Sequence, residues 1–266
     1  MRRPLPISVQ ILEFDSNLFG FTVGRVDVDG LASSSAPETL AIASEWGIRL
    51  LYCESSKKLD LSPFSSDVLT KHVDKKTRFL KSVASTTQPA SFVGGCIEKL
   101  LADKPSESLV DLALSSGEWS RFRLDEHIPK GVFEKLYQIW ISRSVRGEIA
   151  ESVLVARNVN DELLGMITVG QVDDRADIGL LAVGEIARGR GVGRALLAAA
   201  EEHARTLGRK LIQVVTQGNN TPACRIYEAA GYSVELESHV YHLWLPERYT
   251  SRMRPKTPHP LNAGQP

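Results

Sequence analysis

The segment Arg188-Gly189-Arg190-Gly191-Val192-Gly193-Arg194 constrains this chain more than any other. It stands between an apolar run, Ala176 to Val183, and a run from Val192 to Leu207 in which Leu196, Ala199, Ala200, His203 and Leu207 recur at helical spacing. A strand, a tight turn and a helix N-terminus in succession leave several backbone N–H groups without intrahelical partners, at the positive end of the helix dipole. Glycine lets the backbone wrap closely, so consecutive amides can grip phosphate oxygens, and Arg188, Arg190 and Arg194 add charge. Two common nucleotide motifs do not fit. A P-loop needs Lys-Ser or Lys-Thr after the glycines, and none follows. A GxGxxG fingerprint needs a glycine where Arg194 stands and an acid where Thr216-Gln217 ends the next strand. On this string alone, a plain structural turn stays open.

Composition narrows the rest. With 32 Lys+Arg against 32 Asp+Glu, the net charge of zero gives no general attraction to nucleic acid or an anionic membrane. The longest apolar stretches, such as Ala195 to Ala200, fall far short of the ~18–20 residues of a membrane span. Met1-Arg2-Arg3-Pro4-Leu5-Pro6 precedes no apolar run and does not read as a secretory signal. Cys53, Cys96 and Cys224 are odd in number and far apart, which argues against a disulfide framework or a CxxC metal site and suits a reducing cytoplasm. No metal is expected.

The pattern predicts four parts: an α/β domain over 1–82, a linker over 83–105, a larger domain over 106–245 and a disordered tail over 246–266. Ser82 to Gly95 is polar and Ser/Thr-rich, and the tail holds five of the thirteen prolines. Strands are expected at Val9–Leu12, Thr22–Val26, Ile48–Tyr52 and Arg78–Val83, with a helix from Pro37 to Trp46 capped by Gly47. Ile97 to Glu148 reads as helical, Phe133, Leu136, Tyr137, Trp140 and Ile141 forming an apolar face. Beyond it the order is strand (Ser152–Ala156), strand (Leu164–Val172), strand (Ala176–Val183), the glycine turn, helix, strand (Lys210–Thr216), a short helix opened by Thr221-Pro222 and a long strand from Tyr232. That order makes a mixed, largely antiparallel sheet flanked by helices, an α/β (α+β) fold.

Asn219-Asn220 follows the strand at Ile212–Thr216, Tyr227 lies one helix later, and Gly231-Tyr232 closes that helix. With Arg188-Gly-Arg-Gly191-Val-Gly193, a match to R/Q-x-x-G-x-G/A, the region from Ser152 to Leu245 resembles the GNAT superfamily of acetyl-CoA-dependent N-acetyltransferases. Asp15-Ser16-Asn17-Leu18-Phe19-Gly20 and Ser120-Arg121-Phe122-Arg123 extend the resemblance to the dTDP-fucosamine acetyltransferases, which also carry an extra N-terminal α/β domain. The Ser82–Gly95 stretch and the proline-rich tail depart from that family.

The resemblance implies acetyl-CoA as cosubstrate, a nucleotide-linked amino sugar as acceptor and a homodimer. It implies that Arg188, Gly189, Arg190, Gly191, Val192, Gly193 and Arg194 hold the pyrophosphate of CoA. Backbone N–H groups of Leu181, Ala182 and Val183 are the candidates for stabilising the oxyanion, and Tyr227 for protonating the leaving thiolate. Asn220 bonds the pantetheine, caps its helix, or both. Arg121 and Arg123 suit a nucleotide diphosphate, and Phe122 or Trp119 a thymine. The base is left open among Asp74, Glu118, Asp125, Asp177 and a water chain. Two other readings compete: acetylation of a protein N-terminus, a lysine or another small amine, and a silent acyl-CoA sensor.

Overall fold

The computed structural model describes residues 2–31, 36–60, 67–83 and 91–247. Most of the expected tail, and residues 84–90 of the expected linker, lie outside the described residues. The chain divides into two compact units, residues 1–73 with 238–266, and residues 74–237.

In the first unit, β1 (Val9–Ile11) pairs antiparallel with β2 (Thr22–Asp27), and β2 pairs parallel with β3 (Ile48–Ser55). The fourth partner comes from the far end of the chain. In β10 (Ser233–Trp244), His239–Trp244 run antiparallel to Leu50–Ser55. Helix α1 (Glu13–Phe19) stops at Gly20 and α2 (Ala36–Glu45) just before Gly47, glycines at φ 77° and 76°, left-handed conformations that L side chains resist. Val26, Leu40, Leu51, Tyr241 and Leu243 fill the core.

The second unit holds β4 (Leu69–Ser82, from Asp74 on), β5 (Gly95–Lys99), β6 (Ser152–Asn158), β7 (Leu163–Val172), β8 (Arg175–Val183) and β9 (Leu211–Gln217), in the order β5-β6-β7-β8-β9-β4. Only the β8–β9 contact is parallel, so the sheet is mixed and largely antiparallel, as expected. Helix α6 (Val192–Thr206) packs Leu196, Leu197, Ala200 and Ala204 on Ile167, Val169, Ala176, Ile178, Ile212 and Val214. Alternation along the strands sends Thr168, Asp177 and Leu180 to the other face, where α3 (Glu107–Ser116) and α5 (Val132–Val145) lie, joined through the short α4 (Arg121–Leu124). Helix α7 (Thr221–Ala229) follows β9.

Two expectations are corrected. The unit boundary falls inside β4, between Val73 and Asp74, not at residue 82, and the chain from Ser238 belongs with the N-terminal unit because β10 pairs with β3. Residues 95–99 form a strand on β6, not the start of a helical segment.

β8 carries a bulge: Ile167 faces Leu181 but Val169 faces Ile178, so β8 advances three residues while β7 advances two. Thr168 steadies it, its Oγ1 accepting the Leu180 N–H at 2.9 Å in a buried setting. Thr168→Val keeps the shape and leaves that amide unpaired. Urea unfolding should show a loss of about 1–3 kcal/mol, and unchanged stability would refute this role for Thr168.

Candidate active site

The site begins where the sheet opens. β8 and β9 pair only over Ala176–Ile178 and Ile212–Val214. Beyond that point β8 stays with β7 to Val183, and β9 stays with β4 to Gln217. The Gly184 N–H donates to the Leu164 carbonyl on β7 at 2.8 Å. In an antiparallel ladder alternate amides point to opposite sides, so the Ala182 N–H also faces β7. Those of Leu181 and Val183 face the side from which β9 has departed. Of the three expected oxyanion donors, these two are aimed into the opening.

The glycine turn stands at the end of β8. Gly189 and Gly191 sit at φ 74° and 82°, with nothing within 4 Å of where a Cβ would be, so backbone conformation alone demands glycine there. Gly191 is the N-cap of α6 and offers no side chain to cap it. The first helical bond runs from the Ala195 N–H to the Gly191 carbonyl, which leaves the Val192, Gly193 and Arg194 amides as free helix-terminal donors. A Cβ at Gly193 would lie 2.6 Å from Ile226 Cδ1, so the absence of a side chain brings this turn close to α7.

Asn220 caps α7, its Oδ1 accepting the Ala223 N–H at 3.2 Å, and Pro222 occupies the first turn. Tyr227 is buried, its ring 5.5 Å from Phe79 and 6.0 Å from Tyr232. Burial pushes its phenol well above the usual tyrosine range. Leu181, Ala182, Val183, Arg188, Gly189, Gly191, Val192, Gly193, Arg194, Asn220 and Tyr227 all border one cavity of about 530 Å³. Arg190 is exposed and does not line it. Arg188 also leans on the chain, its Nε donating to the Val183 carbonyl at 3.4 Å.

Ser115, Ser116, Glu118 and Trp119, at the end of α3 and just beyond, complete the cavity wall. Sequence singled out Glu118 as a candidate base and Trp119 as a candidate for stacking on a thymine but gave no signal for the two serines, which carry no motif. Arg121, Phe122 and Arg123 do not line the cavity. Ser120 caps α4 by accepting the Phe122 N–H at 3.3 Å, and it also shares a hydrogen bond with the Tyr137 hydroxyl. Phe122 is buried, with Arg121 over its ring at 4.6 Å and Trp140 at its edge, so Trp119 is the aromatic left open to a ligand.

A second cavity of about 240 Å³ lies under α5, bordered by Trp140, Ser144, Thr168, Asp177, Gly179 and Leu180 among others. Leu180 and Leu181 are consecutive yet line different cavities, so the bulged part of β8 is the wall between them. Asp177 Oδ1 accepts from Gln213 Nε2 at 2.9 Å. Burial outweighs that bond and the nearby Arg78 charge, and it raises the carboxyl above the usual range. Of the other candidate carboxylates, Glu118 borders the first cavity and two fall elsewhere. Asp74 is buried near Tyr137, and Asp125 accepts the His127 N–H at 3.2 Å. Among the described residues, no group of three or more His, Cys, Asp or Glu is placed to hold a metal.

Residues 114–232 match the Acetyltransferase (GNAT) family. The spore coat polysaccharide biosynthesis protein SpsD of Bacillus subtilis is 27% identical over 139 residues, 52% of this chain and 47% of that protein. The chain therefore spans about half the length of that relative. The dTDP-fucosamine acetyltransferase of Escherichia coli O6:H1 is 25% identical over 87% of this chain and 96% of its own. A GCN5-related N-acetyltransferase from Sphaerobacter thermophilus shares the fold, with a TM-score of 0.60 at 14% identity over 88% of this chain and 75% of that one.

The turn yields one stability test. Gly191→Ala meets no atom but must hold a left-handed backbone, which costs about 1–2 kcal/mol. Chemical denaturation should show that loss, and an unchanged midpoint would refute the strain.

Proposed function

We propose that the chain transfers the acetyl group of acetyl-CoA to an amine, a reading that starts from the match of residues 114–232 to the Acetyltransferase (GNAT) family. The acceptor we infer is a dTDP-linked 4-amino-4,6-dideoxy sugar of surface polysaccharide synthesis. One observation carries the transfer reading: the end of β8 that has parted from β9, the α6 N-terminus and Tyr227 all border one cavity. The sugar reading is supported by similarity to the dTDP-fucosamine acetyltransferase over 87% of this chain, both units included.

The residues fit a diphosphate and a thioester. The amides of Val192, Gly193 and Arg194 at the positive helix end, with Arg188 and Arg194 beside them, would hold the diphosphate. Acetyl-CoA, when bound, supplies the activated carbonyl. One of the Leu181 and Val183 N–H groups would donate to its oxygen as charge builds there, a contribution of about 3 kcal/mol for one well-aimed donor. Tyr227 stays protonated across the neutral range, so its hydroxyl is available to donate to the departing sulfur.

An amine reaches neutral pH mostly protonated and must lose that proton before attack. Asp177 stands across β8 from the cofactor cavity, in a space of its own with an indole wall. Its raised affinity for protons brings a carboxylate nearer the working pH of a general base, and we assign it that role.

Three outcomes test this reading. Tyr227→Phe should lower kcat about a hundredfold while the KM for acetyl-CoA stays within about twofold. Wild-type turnover would refute Tyr227 as the acid. Only ionised Asp177 accepts a proton, so kcat/KM should rise with pH through its raised pKa. Asp177→Asn should abolish that rise, and a wild-type profile in the variant would remove Asp177 from the mechanism. A thiol-release assay should give turnover with dTDP-4-amino sugars. Turnover with lysine or N-terminal peptides alone would overturn the sugar and keep the transfer.

A further inference from the structure

Lys81 is a half-buried cation of the second unit that the chemistry above does not use. Lys81 lies on β4, two residues beyond Phe79, on the face that meets α6 and α7. Its Nζ donates to Glu201 Oε2 on α6 at 2.7 Å and to the Ala230 carbonyl, the C-cap of α7, at 2.7 Å. The two charged side chains retain only 24% and 13% exposure. The same ammonium stands 5.4 Å over the ring of Tyr232, which in turn packs 6.0 Å from the ring of Tyr227. The Tyr232 hydroxyl is buried beside Glu201, and both effects hold it neutral.

We propose that Lys81 is a positioning residue for Tyr227, fixing the C-terminal end of α7 against α6 so that the phenol keeps its place in the cavity. This rests on the reading of Tyr227 as the acid. Low exposure weakens solvent screening of the pair, and a helix C-terminus with unpaired carbonyls favours a cation. Replacing a buried ion pair by apolar groups often leaves stability unchanged. What this pair adds is direction, because one ammonium bonds two helices at fixed points. Tyr227 lies three residues before Ala230, within one helical turn. The phosphate-facing end of α6 lies nine residues before Glu201, about 14 Å away at 1.5 Å per residue. Loss of the tie therefore displaces the acid and spares the cofactor cradle.

The test is steady-state kinetics on the full chain, with acetyl-CoA and the best-turned-over 4-amino sugar, read by thiol release. Lys81→Met should lower kcat about tenfold or more with the KM for acetyl-CoA within about twofold. Lys81→Arg should restore most of the loss. In a Tyr227→Phe background, Lys81→Met should cost nothing further, since a group acting through Tyr227 has nothing left to position. Wild-type kcat in folded Lys81→Met, a matching rise in KM, or a full additional loss in the Tyr227→Phe background would each overturn the proposal. If Lys81→Met fails to fold, Glu201→Leu carries the same comparison, because it removes the acceptor on α6 and leaves the bond to Ala230. Impaired Tyr227→Phe beside unimpaired Lys81→Met and Glu201→Leu overturns the positioning role alone. Wild-type turnover in Tyr227→Phe overturns the acid and this role together.

Discussion

The site depends on backbone pairing that two neighbouring strands decline to make. β8 and β9 share a register over three residues, then separate while each keeps its outer partner. Interior strands rarely leave main-chain donors unpaired, because each such group is expensive unless water or a ligand meets it. Here the unmade bonds line a cavity, so their donors are held rigidly by β7 on one side and open on the other. The bulge at Gly179 and Leu180 adds a change of facing, and one strand comes to separate two spaces.

Charge follows the same economy of means. The chain is neutral overall, yet two arginines and a helix N-terminus converge where the strands part. Burial acts on two titratable groups, Tyr227 and Asp177, and raises the pKa of both. It keeps the Tyr227 phenol protonated and makes the Asp177 carboxylate a better proton acceptor. Net charge reports none of this, since it sums over a surface whose paired ions cancel.

Much of the second unit was legible because its signals are local. The glycine turn, α6, Asn220 and Tyr227 lie within about one strand and two helices of each other, and periodicity with capping chemistry places them nearly residue by residue. Leu181 and Val183 could be distinguished from Ala182 only after the β7 register was known. What failed to show depends on pairing between distant residues. β5 looked like part of a helical stretch because Gly95–Lys99 has no strand signal without β6 beside it. Phe122 looked available for stacking until α5 covered it, and Arg190 looked like its neighbours until the turn pointed it away from the cavity. The unit boundary was invisible for the same reason, as composition changes at Ser82 while the contacts change at Val73.

The partnership of β3 with β10 also sets an order of events in the making of the protein. Leu50 emerges from the ribosome long before Trp244, its partner across that ladder. The N-terminal unit therefore holds an unfinished sheet edge throughout synthesis of the second unit, which has all its own strands first. Closure over so long a span costs loop entropy before it returns any bond, so it belongs late in folding. The first unit to be translated is the last to be completed, and the second unit matures while its N-terminal companion still waits for a strand.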